Sequence, residues 1–310
     1  MMKKLLFALM IALCFSVPAW ADYNYDVNGD GDVSADDISL LIDYLLTGSA
    51  TGIGNADLND DGLVDVKDIT ILIDYMVSKP RKLNGHEYIK IGGKRWATMN
   101  IGATSVAGND AVETPSYIAG FTYCATNRSV YSCFGTYFKW GETSAPVTPC
   151  NDSNIPPLNS CDDPTLCAEH DAATVNWGAP WRTPTKDDFL ALFVACGGTG
   201  EELANPPALT ASNLNSKGIY WCAAGQTVAT EYQAAGILFV QDAEHKLFFP
   251  VAGYIRGSNL DSPGYEGWCW TSTLHTYNTE ACDIYMRESG VYMSDRSARC
   301  YAFPVRPVAD

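Results

Sequence analysis

An acidic stretch near the N-terminus occurs twice in the chain, as DVNGDGDVSADD from residue 26 and as DLNDDGLVDVKD from residue 57. The two copies lie 31 residues apart, and an apolar segment follows each one, ISLLIDYLL or ITILIDYMV. Eleven of 21 aligned positions are identical, so we interpret the region as a duplicated unit in which each loop is followed by one helix.

The acidic and amide side chains of each copy suit a calcium-binding loop. They occupy loop positions 1, 3, 5 and 12, which are Asp26, Asn28, Asp30 and Asp37 in the first copy and Asp57, Asn59, Asp61 and Asp68 in the second. Gly31 and Gly62 stand at position 6, where the sharp turn needs a glycine. Position 7 offers a backbone carbonyl, from Asp32 or Leu63. The sequence therefore predicts two bound Ca²⁺ ions, one in each loop.

This spacing matches the EF-hand loop except at position 12, where aspartate replaces glutamate in both copies. Together with the helix after each loop, it resembles a type I dockerin over residues 22–79. Dockerins are calcium-dependent modules that bind cohesins on bacterial cellulosome scaffolds, so the resemblance implies a cohesin partner. Thirteen acids in residues 22–80 repel one another until metal neutralises them, and we expect this module to fold only with calcium.

Residues 1–21 have the pattern of a secretory signal peptide. Two lysines precede the apolar run LLFALMIALCFSV, and the small-x-small ending AWA predicts cleavage between Ala21 and Asp22. No later run approaches 18 apolar residues, so we expect a secreted protein, extracellular or associated with the cell surface, without membrane insertion. The formal net charge of −16 argues against nucleic acid as a partner.

The ten cysteines beyond the signal peptide all lie after residue 120. In an exported chain they favour disulfides, whose connectivity the sequence leaves open. Cys124 and Cys133 flank a short polar turn, and Cys150, Cys161 and Cys167 crowd one loop. No C-x-x-C motif occurs, so a zinc ribbon or a redox motif is not supported.

A second domain is predicted over residues 86–310, after a linker at residues 80–85 that begins where Pro80 ends the second helix. It holds many short strand-like runs, starting with a hairpin, HEYIKI-GG-KRWATM. One helix stands out, TKDDFLALFVAC, with a capping box from Thr185 to Asp188. The predicted fold class is multidomain: a small all-α module, then an α+β domain that is mostly β.

Four ordered pieces of this domain resemble the Fibrobacter succinogenes major paralogous domain: KRWATMNIGAT, GTYFKWGETS, AATVNWGAPWRTPTKDDFLAL and an ending with FFPVAGY, WCWTST and FPVRPV. That family is similar to C-type-lectin-like proteins, so the resemblance implies a C-type-lectin-like fold. The W-R-x-P-T segment also resembles relatives of the formylglycine-generating enzyme. We expect core roles for Trp96, Trp140, Trp177, Trp181 and Trp270, with Arg182 and Arg306 bound to backbone carbonyls or a carboxylate.

Motifs that carry catalysis are scarce in the sequence, which has no G-x-S-x-G, no H-E-x-x-H and no Gly-rich phosphate loop. The histidines are not at metal-ligand spacing from one another, and most of them are expected to be exposed: His86, His170, His245 and His275. We therefore expect a protein that is not an enzyme. The E-P-N, Q-P-D and W-N-D triplets of calcium-dependent lectins are also missing, so ligand binding by this domain is expected to need no calcium.

The last third of the chain is rich in tyrosine, tryptophan and arginine, which dominate interface hot spots. We predict that it binds a glycan or a surface-protein ligand through Tyr265, Trp268, His275, Tyr277, Asp283, Tyr285, Arg287, Arg296 and Arg299. Three other interpretations stay open. The residues are those of ordinary strands and turns; or a diversity-generating retroelement diversifies residues 255–308, as in variable proteins that such domains resemble; or the chain is an accessory or catalytic component of a polysaccharide-degrading complex.

Overall fold

The structure is a computed structural model that describes residues 25–29, 33, 35–49, 53–59, 61–78, 81–106, 132–229 and 232–310. The chain divides into two compact units, Met1–Pro80 and Arg81–Asp310. The predicted signal peptide, Cys124 and two predicted calcium ligands, Asp30 and Asp32, lie outside the described residues. No helix in the described part of the chain is both long enough and apolar enough to cross a membrane.

The N-terminal unit is built from the two predicted loop-helix repeats. Helix α1 spans Ala35–Thr47 and helix α2 spans Val66–Ser78, which are equivalent positions in the two repeats. The buried core consists of Val27, Leu41, Ala56 and Leu72. Tyr25 stacks on Tyr75 with ring centroids 3.6 Å apart. So small a core buries little apolar surface, and the unit needs a further source of stability.

The C-terminal unit is mostly β, as predicted. Its described strands are β1 (Arg81–Leu83), β2 (His86–Ile91), β3 (Lys94–Ala97), β4 (Tyr137–Lys139), β5 (Glu202–Ala204), β6 (Gly218–Cys222), β7 (Gly236–Val240), β8 (Lys246–Pro250), β9 (Tyr254–Arg256), β10 (Asn259–Asp261), β11 (Glu266–Leu274), β12 (Glu280–Arg287), β13 (Gly290–Ala298), β14 (Ala302–Pro304) and β15 (Val308–Ala309). The helices are α3 (Ala172–Trp177) and α4 (Lys186–Ala195), with 3-10 turns at Asp152–Asn154 and Ser160–Asp162.

The strands of the described residues form four antiparallel sheets, in the orders β1-β2-β3-β15, β10-β9-β14-β4, β11-β12-β13-β5 and β6-β7-β8. The predicted hairpin is present, with Ile91 opposite Lys94. The last strand returns to it, so that Val308 lies opposite Trp96. Within the predicted linker, Arg81–Leu83 forms strand β1, which pairs with β2 in the first sheet.

Helix α4 lies against the largest apolar cluster of the C-terminal unit. Four apolar side chains of the segment TKDDFLALFVAC are fully buried: Phe189, Leu192, Phe193 and Cys196. Trp96 of the first hairpin reaches this face, with its ring centroid 5.0 Å from that of Phe189. The hairpin turn comes closer still, since a Cβ on Gly92 would stand 3.1 Å from the carbonyl oxygen of Ala191. Only glycine fits this contact without a shift of the helix.

The ends of α4 follow the sequence prediction. The Thr185 hydroxyl accepts from the backbone N–H of Asp188 at 3.1 Å, and the Asp188 carboxylate accepts from that of Thr185 at 2.8 Å, which completes the capping box. Arg182 donates two hydrogen bonds to Asp188, at 2.6 and 3.2 Å. Gly197, with φ of +92°, follows the last turn. The predicted contact of Arg182 with a carboxylate at the helix start is confirmed.

The tryptophans of the predicted motifs join separate sheets. The indole N–H of Trp140, which follows β4, donates to the Thr271 carbonyl on β11, while that of Trp270 on β11 donates to the Phe138 carbonyl on β4, both at 2.8 Å. Trp96, Trp140, Trp181 and Trp270 are buried as expected. Trp177 is half-buried instead and stacks on His86, with centroids 3.7 Å apart.

Arg306 is a fully buried cation between β14 and β15. It donates to the Asn100 side chain at 2.8 Å and to the carbonyls of Ala97 and Thr98 at 3.1 and 2.8 Å. Its guanidinium also lies 4.6 Å from the ring centroid of Phe249. Burial lowers the pKa of Arg306 to about 10, so it remains charged at neutral pH. The predicted contact with backbone carbonyls is confirmed.

Replacing Asp188 by alanine is expected to destabilise the C-terminal unit by about 2–3 kcal/mol, because the capping box and both hydrogen bonds from Arg182 are lost. Burial alone raises the pKa of the Asp188 carboxyl, but the Arg182 and Thr185 hydrogen bonds outweigh it and hold the pKa below 3.8. The carboxylate therefore stabilises the fold above its unfolded pKa of about 3.9. That contribution disappears as the pH falls through the lower folded pKa.

Urea unfolding followed by tryptophan fluorescence measures this unit alone, because every tryptophan after Trp20 lies between residues 96 and 270. Asp187→Ala, at the exposed neighbouring position, is the control and should cost less than about 0.5 kcal/mol. Equal losses of unfolding free energy in Asp188→Ala and Asp187→Ala would contradict the stabilising role of Asp188. So would a loss for Asp188→Ala that is undiminished when the pH has fallen well below about 3.9, the pKa of the carboxyl in the unfolded chain.

Candidate calcium loops and ligand-binding surface

In the second acidic loop, the predicted ligands accept hydrogen bonds from the backbone of the loop itself. Asp57 accepts from the N–H groups of Asp61 and Gly62 at 3.2 and 2.8 Å. Asn59 accepts from Asp61 at 3.0 Å, and the Asp61 carboxylate accepts from the N–H of Leu63 at 3.0 Å. Gly62 has a φ of +83°, which the sharp turn requires. The bonds wrap the chain around the side chains of loop positions 1, 3 and 5.

The aspartates at position 12 close both loops. Asp68 is fully buried and accepts from the N–H groups of Leu58 and Asp65 at 2.8 and 2.7 Å. Asp37 is buried in the same way and accepts from the N–H of Asn28 at 3.0 Å. Each aspartate lies in the first turn of its helix, where the helix dipole favours a negative charge. Burying a carboxylate is costly unless its charge is compensated, so these two carboxylates favour the binding of a cation next to each of them.

The first loop also bonds its backbone to its own acids, as far as it is described. Asp26 is 7% exposed and accepts from the N–H of Gly29 at 2.7 Å. The N–H that Asp37 accepts comes from Asn28 at loop position 3, whereas the corresponding bond to Asp68 comes from Leu58 at position 2. The ligands predicted at Asp30 and Asp32 lie outside the described residues.

A lysine ammonium already stands among the acids of the second loop. Lys67 Nζ lies 3.1 Å from Asp61 Oδ2 and 3.5 Å from Asp65 Oδ2. This hydrogen bond, which Lys67 donates and the Asp61 carboxylate accepts, lowers the pKa of Asp61 and raises the pKa of Lys67. The donor groups of the loop are carboxylate, amide and carbonyl oxygens, which suit a hard cation such as Ca²⁺. The residues present thus fit the predicted metal.

The structure separates the nine predicted ligand residues into three groups. Tyr265, Trp268, Tyr285 and Arg287 lie together at one end of the β11–β12 pair. His275, Tyr277 and Arg296 lie near its other end. At roughly 3.3 Å per residue, the nine residues of β11 put about 26 Å between the two ends of the strand, where the two groups lie. Asp283 and Arg299 form the third group, which is buried.

The first group is an aromatic ladder across three strands. Trp268 lies opposite Tyr285, and Tyr285 opposite Tyr292. The rings stack with centroids 4.7 and 5.6 Å apart and interplanar angles of 23° and 16°. Arg287 lies over the rings of Tyr285 and Tyr292, 5.3 and 5.9 Å from their centroids. Tyr292 is missing from the predicted ligand residues, although the short turn between β12 and β13 places it beside Tyr285.

A cleft of about 660 Å³ adjoins the ladder. Its lining residues are Asn205, Ser262, Tyr265, Glu266, Arg287, Glu288 and Ser289. The Tyr285 hydroxyl donates to Glu266 at 2.6 Å, and burial followed by the Glu266 carboxylate raises the pKa of Tyr285. Asn205 and Ser262 hold left-handed backbone conformations, with φ of 49° and 55°. Such conformations are unusual for residues other than glycine and are found preferentially at functional sites.

The second group is smaller and is organised by one carboxylate. Glu280 lies 3.3 Å from Arg296 and 3.4 Å from His275. The Arg296 guanidinium is 5.4 Å from the ring centroid of Tyr277, which is itself 61% exposed. This group is held by a surface ion pair and a ring contact.

The prediction that Asp283 and Arg299 contact a ligand is wrong. Asp283 is fully buried, out of reach of a ligand in solvent, and burial raises the pKa of its carboxyl well above the usual range. Arg299 is 4% exposed, donates to the Asn278 carbonyl at 2.7 Å and lies 5.4 Å from the ring centroid of Trp140. Both residues face the packed interior under Trp270 and Trp140 instead of the solvent.

The prediction that most of the histidines are exposed is also wrong. All four are half-buried, and each has a partner: His86 stacks on Trp177, His245 bonds to Asp242, His275 approaches Glu280 and His170 bonds to Asp162. His170 also lies beside Cys161 and Cys167. The spacing C-D-x4-C-x2-H in the sequence marks this group of two cysteines, an aspartate and a histidine. It is not visible when histidines are compared only with one another.

Residues 24–77 match the family model of the dockerin type I domain. The match includes both acidic loops and nearly all of both helices, so this part of the chain is a dockerin domain. Type I dockerins bind calcium, and dockerin domains bind cohesin partners in proteins that are typically extracellular or on the cell surface. No curated protein and no solved structure matches the chain.

Asp37→Ala and Asp68→Ala are each expected to weaken Ca²⁺ binding to their own loop at least about tenfold, because each removes a buried carboxylate that closes a loop. Calorimetric titration with Ca²⁺ measures the two sites, and helical circular dichroism should rise when calcium replaces a chelator. Asp36→Ala, an exposed neighbour of the same charge, is the matched control and should bind normally. A dichroism signal that is the same in chelator and in calcium would contradict coupled folding.

Proposed function

We propose that this chain is a secreted recognition protein without catalytic activity. Its dockerin domain binds two Ca²⁺ ions and anchors it to a cohesin-bearing partner, while its C-terminal unit binds a glycan or a protein on a surface. The observation that carries the proposal is the pairing of a dockerin domain with a second unit whose tyrosine- and arginine-lined cleft opens to solvent.

Exposed apolar residues on both dockerin helices support the cohesin partner. Ile42 and Ile73 occupy equivalent positions of the two repeats and are 39% and 41% exposed. Leu46 on α1 and Val66 on α2 are more exposed still, at 78% and 69%. The helices carry these side chains in a unit whose own core is small, and side chains of this kind are stabilised by burial against a partner.

Cohesin binding is tested with an immobilised panel of type I cohesins and the full chain in calcium. Ile42→Asp combined with Ile73→Asp should weaken capture at least about a hundredfold, since both equivalent contacts would place a carboxylate in an apolar interface. Val194→Asp, at a 58% exposed position of the C-terminal unit, is the control and should be captured normally. Capture that persists in chelator would contradict calcium-dependent cohesin binding by the dockerin domain. So would equal capture of the Ile42→Asp/Ile73→Asp variant and the Val194→Asp control.

Tyr265 is the best anchor for a ligand of the C-terminal unit. The ladder rings of Trp268, Tyr285 and Tyr292 stack face to face, so they offer mainly their edges to solvent. Tyr265 is 61% exposed and lines the cleft together with Arg287, whose Nε has no hydrogen-bond partner among the described residues. An exposed ring beside charged and amide groups suits stacking and hydrogen bonding to a sugar or a polar protein surface.

The C-type-lectin-like fold inferred from the sequence motifs is part of this proposal. The same cleft serves the alternative of a diversified binding protein, because every lining residue except Asn205 lies within residues 255–308. Both readings make the cleft a recognition site. They differ in whether its residues vary between copies of the gene.

Tyr265→Ala is expected to weaken ligand binding by about 2 kcal/mol, or roughly thirtyfold, because it removes the exposed ring of the cleft. A glycan and cell-surface protein array probed with the full chain identifies the ligand, and titration with chelator present then compares the variants. Tyr277→Ala is the matched control: Tyr277 is equally exposed, at 61%, but lies near the other end of β11. A larger loss for Tyr277→Ala, or binding that vanishes in chelator, would place the site elsewhere.

A further inference from the structure

A loop of the C-terminal unit brings four metal-ligating side chains together away from the calcium loops and the cleft. Cys161 and Asp162 lie in the 3-10 turn at Ser160–Asp162, and Cys167 and His170 follow before α3. One ligand atom from each residue lies within 4.8 Å of every other. In the structure the two cysteines are joined as a disulfide, with their Cα atoms 5.6 Å apart.

The distances between these groups resemble the edges of a tetrahedral metal site. His170 Nδ1 lies 2.9 Å from an Asp162 oxygen, and Cys167 Sγ lies 3.3 Å from Asp162 Oδ1 and 3.4 Å from His170 Nδ1. For Cys161 Sγ the same two distances are 3.8 and 3.9 Å. Zinc bonds of about 2.3 Å to sulfur and about 2.0–2.2 Å to nitrogen and oxygen put tetrahedral ligand atoms roughly 3.3–3.8 Å apart. Five of the six edges therefore need little adjustment, and the sixth joins the two sulfurs.

The surroundings hold the ligands in place. Asp162 is 1% exposed, and its oxygens accept from the backbone N–H groups of Cys167 at 3.2 Å and Asn159 at 3.3 Å. The Asn159 side-chain amide N–H also donates to Asp162 Oδ2 at 3.3 Å, and its nitrogen lies 3.2 and 3.3 Å from the two ring nitrogens of His170. The side chain of His170 is 25% exposed, and Cys161 lies at the surface, so a cation can enter.

We propose that this loop binds Zn²⁺ or a similar thiophilic divalent cation when Cys161 and Cys167 are reduced, with Asp162 and His170 as the other two ligands. Two thiolates and an imidazole suit a borderline-soft cation, which distinguishes the loop from the oxygen-only calcium loops. Metal and disulfide exclude each other, because the thiolate electrons that bind the metal form the S–S bond in the oxidised pair. The loop is therefore held closed by the disulfide when oxidised and by the metal when reduced.

The conversion balances with a phosphine reductant. The phosphine takes the oxygen of one water molecule and becomes a phosphine oxide, while the S–S bond gains two electrons and two protons to give two thiols. Both thiols lose their protons when the metal binds, so loading the reduced loop releases up to two protons per ion.

The test uses the full chain with its calcium loops saturated, either oxidised or reduced with a phosphine that is then removed without air. One equivalent of Co²⁺ should give thiolate-to-cobalt charge-transfer absorption and the visible bands of a tetrahedral ion in the reduced protein only, and Zn²⁺ should abolish both. Cys167→Ser and His170→Gln should each weaken Zn²⁺ binding at least about tenfold.

Controls of the same chemistry are available elsewhere in the unit. Cys222→Ser changes a buried cysteine on β6, outside the four-residue group, and His245→Gln changes a histidine bonded to an aspartate; both should bind Zn²⁺ like the unaltered protein. Reduced, unaltered protein without cobalt charge-transfer absorption would overturn the proposal, whatever the variants do. Absorption that survives in Cys167→Ser, or is equally weakened in Cys222→Ser, would assign the metal to other thiols and overturn it as well.

Discussion

The pairing of the last strand with the first hairpin is the interaction on which the C-terminal unit depends. β15 bonds to β3 on one side, and on the other Val308 exchanges two backbone hydrogen bonds with Arg182, at 3.0 and 2.9 Å. Arg182 also bonds Asp188 at the start of α4. The hairpin, the helix and the end of the chain are thus one assembly, and the sheet that carries the aromatic ladder packs on the buried face of that helix.

The N-terminal unit obtains its stability in a different way. Its core is small, and its acids are concentrated in two loops whose position-12 carboxylates are buried. In the second loop Lys67 lies beside two of these acids, but it is 65% exposed and its ion pairs are screened by water. A divalent cation bound by several oxygens at once neutralises the loop carboxylates more completely than one exposed ammonium does. Fold and metal affinity are consequently two aspects of the same arrangement in this unit.

The sequence predicted most reliably what depends on local spacing. The loop-helix repeats and the capping box from Thr185 to Asp188 are set by positions a few residues apart, and they are present as predicted. Asp283 was misplaced because it shares a strand and a face with Tyr285 but lies opposite Trp270, which distant strands cover. The register of the β12–β13 pair also shifts between Asp283 and Tyr285, so the two residues have different surroundings on β13. Other strands cover one part of a strand face and leave another part exposed. This depends on contacts between residues far apart in the chain, which the local spacing of residues does not reveal.

The cleft beside the ladder has walls from two parts of the chain. Most of its lining comes from residues 262–289, whereas Asn205 follows the edge strand β5 and donates its backbone N–H to the Ser289 carbonyl at 3.0 Å. That bond uses main-chain atoms alone, so it does not depend on the side chain of Ser289 or of its neighbours. One wall can therefore change its chemistry by substitution while the other keeps its shape, and a new specificity can arise without a new fold.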